Sequence, residues 1–337
     1  MLACGLVTAL FCFTQPASAQ APKLKFSHIN SLQGLSNSTI ETIYQDNRKF
    51  IWFGTRDGLN RYDGYQITIF KNNPADANTI SDNYIRCLFE DSHHNLWVGT
   101  SNGLNRFNPF KNTFTRYKHS AANKQSIANN TVNCIYDDKK GNLWIGTTDG
   151  CLNKYDTISN SFLHFYDDRS IAKNEESRQI NYLYEDSHNN LWAGTGSGLK
   201  IFNRANNTFS NTINGFAEIS NPVNRIQEDS LHNLWLGIEN GGLMVLNFKD
   251  KTIKRYQHEQ QANGSLANDQ VKSLLVDKKG NIRAGGINGG LSLFNSQNGT
   301  FSNYQNVSEN SSSLSQRTVS AIFEDDQSNL WVGTHRG

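Results

Sequence analysis

The sequence predicts an all-β fold, a seven-bladed β-propeller with four-stranded blades. First, the segment Asn-Leu-Trp-Val-Gly-Thr at residues 95–100 recurs in seven near copies. Second, the copies follow one another at intervals of 43 to 48 residues, which is the repeat length of four-stranded propeller blades. Third, each copy is rich in β-branched residues and punctuated by glycine, unlike the helical solenoid repeats of similar length.

All six tryptophans stand at the third position of this motif, here called the Trp slot, and arginine takes it once. The seven residues are Trp52, Trp97, Trp144, Trp192, Trp235, Arg283 and Trp331. We expect the tryptophans to pack between blades, because burying an indole contributes a few kcal/mol, with sugar stacking as the alternative. We expect the stem of Arg283 to cover the neighbouring blade while its guanidinium reaches water, with a binding role as the alternative.

Each repeat is expected to supply four strands in order. The first strand has aliphatic residues twelve and nine positions before the Trp slot, so we expect it to be innermost and covered by neighbouring blades on both faces. An Asp six positions before the slot ends this strand and is expected to accept N–H groups of the following turn. The second strand carries the slot, a Gly-Leu step opens the third, and an aromatic pair such as Phe114 and Tyr117 marks the fourth.

The two ends of the chain are expected to share one blade. Residues 24–29 have the pattern of an outer strand, which would close the blade formed by residues 318–324 and 329–334. Such closure ties the ring and removes an exposed sheet edge. The third strand of this blade does not occur in the sequence. We therefore expect an incomplete seventh blade with a slot beside it, in a fragment of a longer protein.

The N-terminus has the pattern of a secretory signal peptide over residues 1–19. An apolar core runs from Leu2 to Phe13, and Ala17-Ser18-Ala19 follows as a small-x-small cleavage pattern. We therefore expect a periplasmic protein in which residues 20–337 form a single propeller domain. Because no later segment is long and apolar enough to cross a bilayer, we expect no membrane contact by this part of the protein.

Composition and charge argue against several other classes. A formal net charge of +2 with both signs interspersed lacks the concentrated basic face that nucleic acid requires, so we expect no nucleic-acid partner. The cysteines beyond the signal segment are three, too few for a complete disulfide framework, and we expect Cys87 and Cys134 to be small buried side chains. No catalytic constellation stands apart from the repeat, so we expect no catalytic residue, no metal and no cofactor. Four histidines lie in turns of the repeats and are not expected to converge on a metal: His93, His94, His188 and His232.

A ligand site is expected on one face of the ring, close to its axis. In propellers the turn between the second and third strands and the loop before the first strand open there. The candidate residues are Arg56, Asp57, Tyr84, Asn102, Asp149, Arg178, Glu239, Asn240, Asn288, His335 and Arg336. Such a mixture of Arg, Asp, Asn and an aromatic ring suits a small molecule or an oligosaccharide that is rich in hydroxyls or acidic. Solvated loops have the same composition, so this alternative stays open.

Three segments of the first repeat resemble a known family. Gly34-Leu35-Ser36, Asp46 through Trp52-Phe53-Gly54-Thr55, and residues 57–64 are similar to two-component regulator propeller repeats, and the resemblance extends over residues 24–337. These repeats form the periplasmic sensor region of hybrid histidine kinases. The resemblance implies a non-enzymatic ligand sensor, anchored in the inner membrane through C-terminal domains absent from this fragment, and it allows a homodimer of the full-length protein.

Two other functions stay open at this point. The first is a propeller scaffold for protein partners. The second is an enzyme, because propellers similar to streptogramin lyases share the Gly, Trp and strand periodicity and use a histidine with a metal on the axial face. His335 is the single histidine that we place on that face, so the sequence favours the sensor.

Overall fold

The computed structural model describes residues 24–167, 178–211, 213 and 215–336, and within them 26 β-strands form seven antiparallel sheets. Sheet 1 contains β1 (Ile40–Gln45), β2 (Ile51–Thr55), β3 (Gly58–Tyr62) and β4 (Ile67–Phe70); sheet 2 contains β5 (Ile85–Glu90), β6 (Leu96–Thr100), β7 (Gly103–Asn108) and β8 (Thr113–Tyr117). Sheet 3 contains β9 (Val132–Asp137), β10 (Leu143–Thr147), β11 (Cys151–Asp156) and β12 (Ser161–Tyr166); sheet 4 contains β13 (Ile180–Glu185), β14 (Leu191–Thr195), β15 (Gly198–Asn203) and β16 (Thr208–Ser210). Sheet 5 contains β17 (Val223–Glu228), β18 (Leu234–Ile238), β19 (Gly242–Asn247) and β20 (Thr252–Tyr256); sheet 6 contains β21 (Val271–Val276), β22 (Ile282–Gly286), β23 (Gly290–Asn295) and β24 (Thr300–Tyr304). Sheet 7 contains β25 (Val319–Glu324) and β26 (Leu330–Thr334), and a 3₁₀ helix, Ser31–Gln33, precedes sheet 1.

The sheets form a closed ring around an axis. Within each sheet the strands lie side by side in chain order. The first strand of every sheet contacts the first strands of the sheets on either side, and β1 of sheet 1 contacts β25 of sheet 7. The first strands therefore line the axis, as the aliphatic pattern predicts, and the β-propeller architecture is confirmed.

The expectation of seven four-stranded blades is corrected. Six sheets have four strands, whereas sheet 7 has only β25 and β26 within the described residues. Residues 24–29, expected as the closing outer strand, form no strand. Phe26 N–H donates to the Ser312 carbonyl oxygen (3.0 Å), and the His28 Nε2 atom lies 2.8 Å from the Ser313 carbonyl oxygen. This segment is therefore tied to the loop before β25, and it pairs with no strand because no strand of sheet 7 lies next to it.

A groove separates residues 24–29 from β26. Its volume is about 670 Å³, and Phe26 on one side and Val332 on the other both line it. The second strand is buried along its whole length in sheets 1 to 5, but Leu330, Trp331 and Val332 of β26 are only half-buried. One edge of sheet 7 is thus uncovered among the described residues, and the expected slot is present at this place.

The Asp and Trp of each repeat are joined in one hydrogen-bonded turn. Asp91 Oδ1 accepts from the backbone N–H groups of His93 (3.0 Å) and Asn95 (2.9 Å), and Asp91 Oδ2 accepts from Trp97 Nε1 (2.7 Å). The Asp to Trp hydrogen bond recurs in sheets 1, 3, 4, 5 and 7. The predicted turn-capping role of Asp is confirmed, and the indole bond adds a connection between the turn and the interior that the pattern did not indicate.

Arg283 keeps this turn intact in sheet 6 by an ion pair. Its Nε and Nη2 atoms lie 3.0 and 2.9 Å from Asp277 Oδ2, the oxygen that a tryptophan would contact elsewhere. The expectation that the guanidinium reaches water is wrong, since the Arg283 side chain is 14% exposed and its charge is directed at the buried carboxylate. Arg283 therefore acts as a structural substitute for tryptophan.

The repeated glycine two positions after the Trp slot allows neighbouring sheets to approach closely. A Cβ atom at Gly146 would lie 2.6 Å from the Sγ atom of Cys134 and 2.7 Å from a methyl carbon of Ile180 in the next sheet. Both distances are far below van der Waals contact. Cys134 is buried, as predicted, and Cys87, in the same position of sheet 2, is only half-buried.

A second repeated hydrogen bond joins six of the seven sheets to the one before it. The last side chain of a first strand accepts a backbone N–H group from the turn of the preceding sheet, as Glu90 Oε2 does from Asn47 (2.7 Å). Six residues make this bond: Gln45, Glu90, Asp137, Glu185, Glu228 and Glu324. Val276 occupies the position in sheet 6. Because valine has no acceptor, sheets 5 and 6 lack this connection.

No helix within the described ranges is long and apolar enough to cross a membrane. The signal-peptide prediction for residues 1–19 lies outside the described residues.

Candidate functional site

Every first strand contains a β-bulge at the same position. In sheet 1, Ile40 pairs with Thr55 and Thr42 pairs with Gly54, so that Glu41 has no partner residue on β2. The same irregularity occurs in all seven sheets. The bulged residues are Glu41, Arg86, Asn133, Asn181, Asn224, Lys272 and Ser320. A bulge re-aims the side chain of its extra residue, and all seven side chains here are directed at the axis, where they line one cavity.

We call this space the axial cavity. Its volume is about 340 Å³. Its lining consists of the seven bulged residues together with Arg56, Tyr84, Arg225, Ile287, Thr318 and His335. All seven sheets contribute, and four cationic side chains face a single carboxylate, Glu41. The axial cavity is therefore polar and carries an excess of positive charge.

Four of the bulged residues connect neighbouring sheets. The Nδ2 atoms of Asn133, Asn181 and Asn224 donate to the carbonyl oxygen of the first residue in the next sheet's first strand, at 3.1, 3.2 and 3.1 Å. The Ser320 hydroxyl donates to the Ile40 carbonyl oxygen and so closes the ring. These four side chains stabilise the ring. The other three bulged residues, Glu41, Arg86 and Lys272, are charged.

A compact cluster surrounds Tyr84 at one side of the cavity. Arg56 Nε donates to Glu41 Oε1 (2.6 Å), and the Tyr84 hydroxyl donates to the same oxygen at 3.4 Å. The guanidinium carbons of Arg56 and Arg86 lie 5.7 and 5.5 Å from the centre of the Tyr84 ring. Burial raises the pKa of Tyr84, and the negative charge of Glu41 adds to this effect. Tyr84 is therefore a protonated hydrogen-bond donor held between two cations.

His335 lies in the same cavity and is neutral at neutral pH. Burial lowers its pKa below the ordinary value of 6.5, and the positive charge of Arg56 acts in the same direction, against the opposite effect of Glu41. The positive charge of the axial cavity at neutral pH consequently comes from arginine and lysine.

A second cavity of about 360 Å³ lies further along the axis. Five residues line both cavities, and we call them the neck: Glu41, Arg86, Asn133, Asn181 and Arg225. Beyond the neck the lining is aromatic. The Tyr44 ring centre is 6.0 Å from that of Phe323 and 6.1 Å from that of Phe89, which is 5.8 Å from that of Tyr136. The channel thus has a charged end and an aromatic end.

The structure brings only part of the predicted site together. Arg56, Tyr84 and His335 line the axial cavity, and Glu239 approaches it by contacting Lys272 Nζ at 3.4 Å. Glu239 and seven further candidates are not among the described lining residues; the seven are Asp57, Asn102, Asp149, Arg178, Asn240, Asn288 and Arg336.

Turn geometry explains this division. In the turns of sheets 1, 6 and 7 the first residue, namely Arg56, Ile287 or His335, faces the axis. The second residue, namely Asp57, Asn288 or Arg336, does not line the cavity. Asp57, for example, binds Lys71 Nζ (2.6 Å) and Asn83 Nδ2 (3.1 Å) in the outer loop. Asp149 instead accepts from the Thr147 hydroxyl (2.6 Å) within its own turn.

Sequence reasoning missed the bulged residues and Arg225. A polar residue eleven positions before the Trp slot recurs in every repeat, between the two aliphatic positions. That regularity could have indicated the site. However, a first strand that is covered by neighbouring blades on both faces offers no position for a polar side chain. The β-bulge directs this polar side chain toward the axis, and the alternation of residues along a regular strand does not predict a bulge.

Two histidines of neighbouring sheets lie side by side. The ring centres of His188 and His232 are 5.6 Å apart, and His232 Nδ1 lies 2.9 Å from the Ser187 hydroxyl and 3.1 Å from Glu228 Oε1. Ser187 and Glu228 thus contact the same ring nitrogen, whereas a catalytic triad needs them on opposite nitrogens. Within the described part of the chain, no group of three or more His, Cys, Asp or Glu residues is placed to hold a metal ion.

Residues 34–57, 79–102, 126–149, 174–197 and 313–336 match the repeat family described as two component regulator propeller. The chain carries two-component regulator propeller repeats. Each matched segment runs from the loop before a first strand to the turn after the second strand. Each of the five matched segments therefore includes a bulged residue of the axial cavity, and two of them also include a turn residue that lines it, Arg56 or His335.

Comparison with individual proteins gives one partial sequence match and broad fold similarity. The chain is 43% identical over 63 residues to histidine kinase P4 of Formosa agariphila, a match covering 19% of this chain and 5% of that protein. It superimposes on the extracellular domain of a protein described as a hybrid two-component system of B. thetaiotaomicron, with a TM-score of 0.77 and 24% identity, covering 94% of this chain and 41% of the other. Virginiamycin B lyase from Staphylococcus aureus gives a TM-score of 0.67 at 11% identity, covering 93% and 98% of the two chains. At these identities the two structures show the fold alone.

Proposed function

We propose that this chain is the ligand-sensing propeller of a two-component signalling protein, and that it binds an oligosaccharide in the axial cavity without catalysing a reaction. The parent protein would be a sensor histidine kinase whose further domains receive the signal. The observation that carries the proposal is a polar cavity of about 340 Å³, to which every sheet contributes and in which Tyr84 is held between two arginines. Cavities of about 300 Å³ and above accommodate small ligands.

The repeat family and the partial identity to a histidine kinase support the signalling role. The predicted signal peptide and the similarity to an extracellular domain support a periplasmic location. The ring is held by hydrogen bonds between sheets, so a ligand that bridges several sheets can alter the packing of the propeller against a neighbouring domain.

Calorimetric titration with neutral and acidic oligosaccharides tests the proposal. We expect one class to bind and Tyr84→Ala to weaken binding at least about tenfold, since the ring and its hydroxyl are both lost. Tyr65→Ala is the matched control, because Tyr65 is 95% exposed and does not line the cavity. If no oligosaccharide binds, or if both substitutions act equally, the proposed function is wrong.

A scaffold for protein partners is the second candidate. The uncovered edge of β26 and the groove beside it favour this role, because an extended polypeptide can add to a free strand edge. A pull-down from periplasmic extract with the wild type and with a Val332→Lys variant distinguishes the two. If the protein is a scaffold, the Val332→Lys variant should capture fewer protein partners than the wild type. If it is a sensor, the variant should bind the oligosaccharide with unchanged affinity.

A further inference from the structure

We propose that the neck binds an anionic group of the ligand between Arg86 and Arg225, so that the sensed oligosaccharide is an acidic one. This inference names the ligand class and therefore rests on the proposed function for the oligosaccharide part. The presence of an anion site at the neck can be tested independently of it.

The first argument is the distribution of charge. Arg56 is paired with Glu41 (2.6 Å) and Lys272 with Glu239 (3.4 Å). Among the described residues, neither Arg86 nor Arg225 has a carboxylate oxygen within 4.0 Å. Glu41, which also lines the neck, is already paired with Arg56, so neither of these two guanidinium groups has a carboxylate partner of its own. Both side chains are half-buried, so a ligand anion gains more from these charges than it would at a fully exposed surface.

The second argument is that neutral groups hold both guanidiniums in place. Arg86 donates from Nε and Nη2 to Asn133 Oδ1 (3.1 and 2.8 Å), and Arg225 donates from Nη1 to the Asn224 carbonyl oxygen (2.7 Å). The Arg225 guanidinium also lies 5.3 Å from the centre of the Tyr182 ring. These contacts orient each fork without neutralising it. Orientation before binding reduces the entropy that a ligand has to overcome.

The third argument is the chemistry of the pair. A guanidinium has five N–H donors, and these contacts use two of them in Arg86 and one in Arg225. The planar fork matches the oxygens of a carboxylate or of a sulfate. A uronate and a sulfate ester therefore offer the same chemistry to the neck. The hydroxyl groups of a sugar would contact the polar side chains that surround it.

Calorimetry and thermal denaturation with four probes test the inference: trigalacturonate, a sulfated galactose oligosaccharide, neutral galactotriose and inorganic sulfate. We expect an acidic oligosaccharide to bind at least about tenfold more tightly than galactotriose. Its affinity should fall with salt, because exposed and half-exposed charges are screened. The relative affinity of the first two probes identifies the carboxylate or the sulfate as the recognised group.

Arg86→Gln and Arg225→Gln are each expected to weaken the acidic oligosaccharide about tenfold, since a charge-assisted hydrogen bond is lost. Arg86→Lys keeps the positive charge but lacks the planar guanidinium group, so the loss of affinity should be smaller than in Arg86→Gln. Arg255→Gln, the same change at an exposed position of β20, is the control and should change nothing. Circular dichroism and the thermal midpoint establish that each variant is folded.

The outcomes separate the two proposals. Equal affinity for galactotriose, or an unchanged affinity of the acidic probe in both Gln variants, would overturn the acidic-ligand inference and leave the oligosaccharide sensor standing. Arginine-dependent binding of inorganic sulfate, with no oligosaccharide bound, would support the anion site and contradict the proposed function. If no anionic probe binds or shifts the thermal midpoint, the anion site is wrong.

Discussion

Replacement of Asp91 by alanine tests how the repeat is stabilised. The substitution removes the acceptor for two backbone N–H groups of the turn and for Trp97 Nε1. Trp97 is 1% exposed, so water cannot replace the lost carboxylate at the indole. A buried donor without a partner costs about 1–3 kcal/mol, and the two turn bonds, which water can reach, add about 1 kcal/mol together. We expect the free energy of unfolding to fall by about 3 kcal/mol.

Asp325→Ala in sheet 7 is the matched control. Asp325 accepts from the N–H groups of Gln327 (3.0 Å) and Asn329 (2.8 Å) and from Trp331 Nε1 (2.9 Å), so the lost backbone and indole bonds match those of Asp91. The Asn side chain of the turn donates to both carboxylates, with two contacts at Asp91 and one at Asp325. Trp331 differs in being half-buried. Because water can then bind the indole N–H group, we expect a loss of about 1 kcal/mol. Urea unfolding followed by circular dichroism measures both values, and equal losses would refute the argument that burial of the indole decides the magnitude.

Three further predictions follow from repeated positions. Val276→Glu supplies the missing connection between sheets 5 and 6, and urea unfolding should show a gain of about 1 kcal/mol. Trp331 should be the tryptophan most accessible to iodide, so Trp331→Phe should reduce quenching of the fluorescence more than Trp52→Phe. Burial raises the pKa of Asp138, but the N–H groups it accepts hold it below the ordinary value of 3.8. Its contribution is therefore present above that value and lost as pH falls below it, and the thermal midpoint should decline steeply from about pH 4 downwards.

Much of the fold could be predicted from the sequence because the same contacts between neighbouring sheets recur in each repeat. The Trp slot, the Asp of the turn and the Gly after it each satisfy a contact that every pair of neighbouring sheets needs. The outer strand of sheet 7 could not be predicted from a recurring contact. Its prediction rests only on the strand-like pattern of residues 24–29, which form no strand. The actual position of that segment depends on hydrogen bonds from Phe26 and His28 to one loop.

The site was harder to predict because adjacent residues of one turn face opposite directions. The sequence placed both Arg56 and Asp57 on the correct face of the ring, but only the first of them reaches the axis. The bulge has the same consequence for the first strands. In a regularly alternating strand the residue that follows the first aliphatic position would not face the axis. The β-bulge at that residue turns its side chain toward the axis.

The charged bulge residues are the departures that a structural role does not explain. Asn or Ser at this position donates to the next sheet, and Arg86 and Lys272 do not make that bond. The residue after each of them contacts the next sheet: Cys87 Sγ lies 3.8 Å from the Val132 carbonyl oxygen, and the Ser273 hydroxyl donates to the Val319 carbonyl oxygen at 3.4 Å. Arg86 instead donates to the Asn133 side chain of the next sheet (3.1 and 2.8 Å), and Lys272 contacts Glu239 of the preceding sheet (3.4 Å). A cation that faces the axial cavity where other sheets carry a neutral connecting side chain breaks the repeat pattern, and such local departures are expected at functional sites.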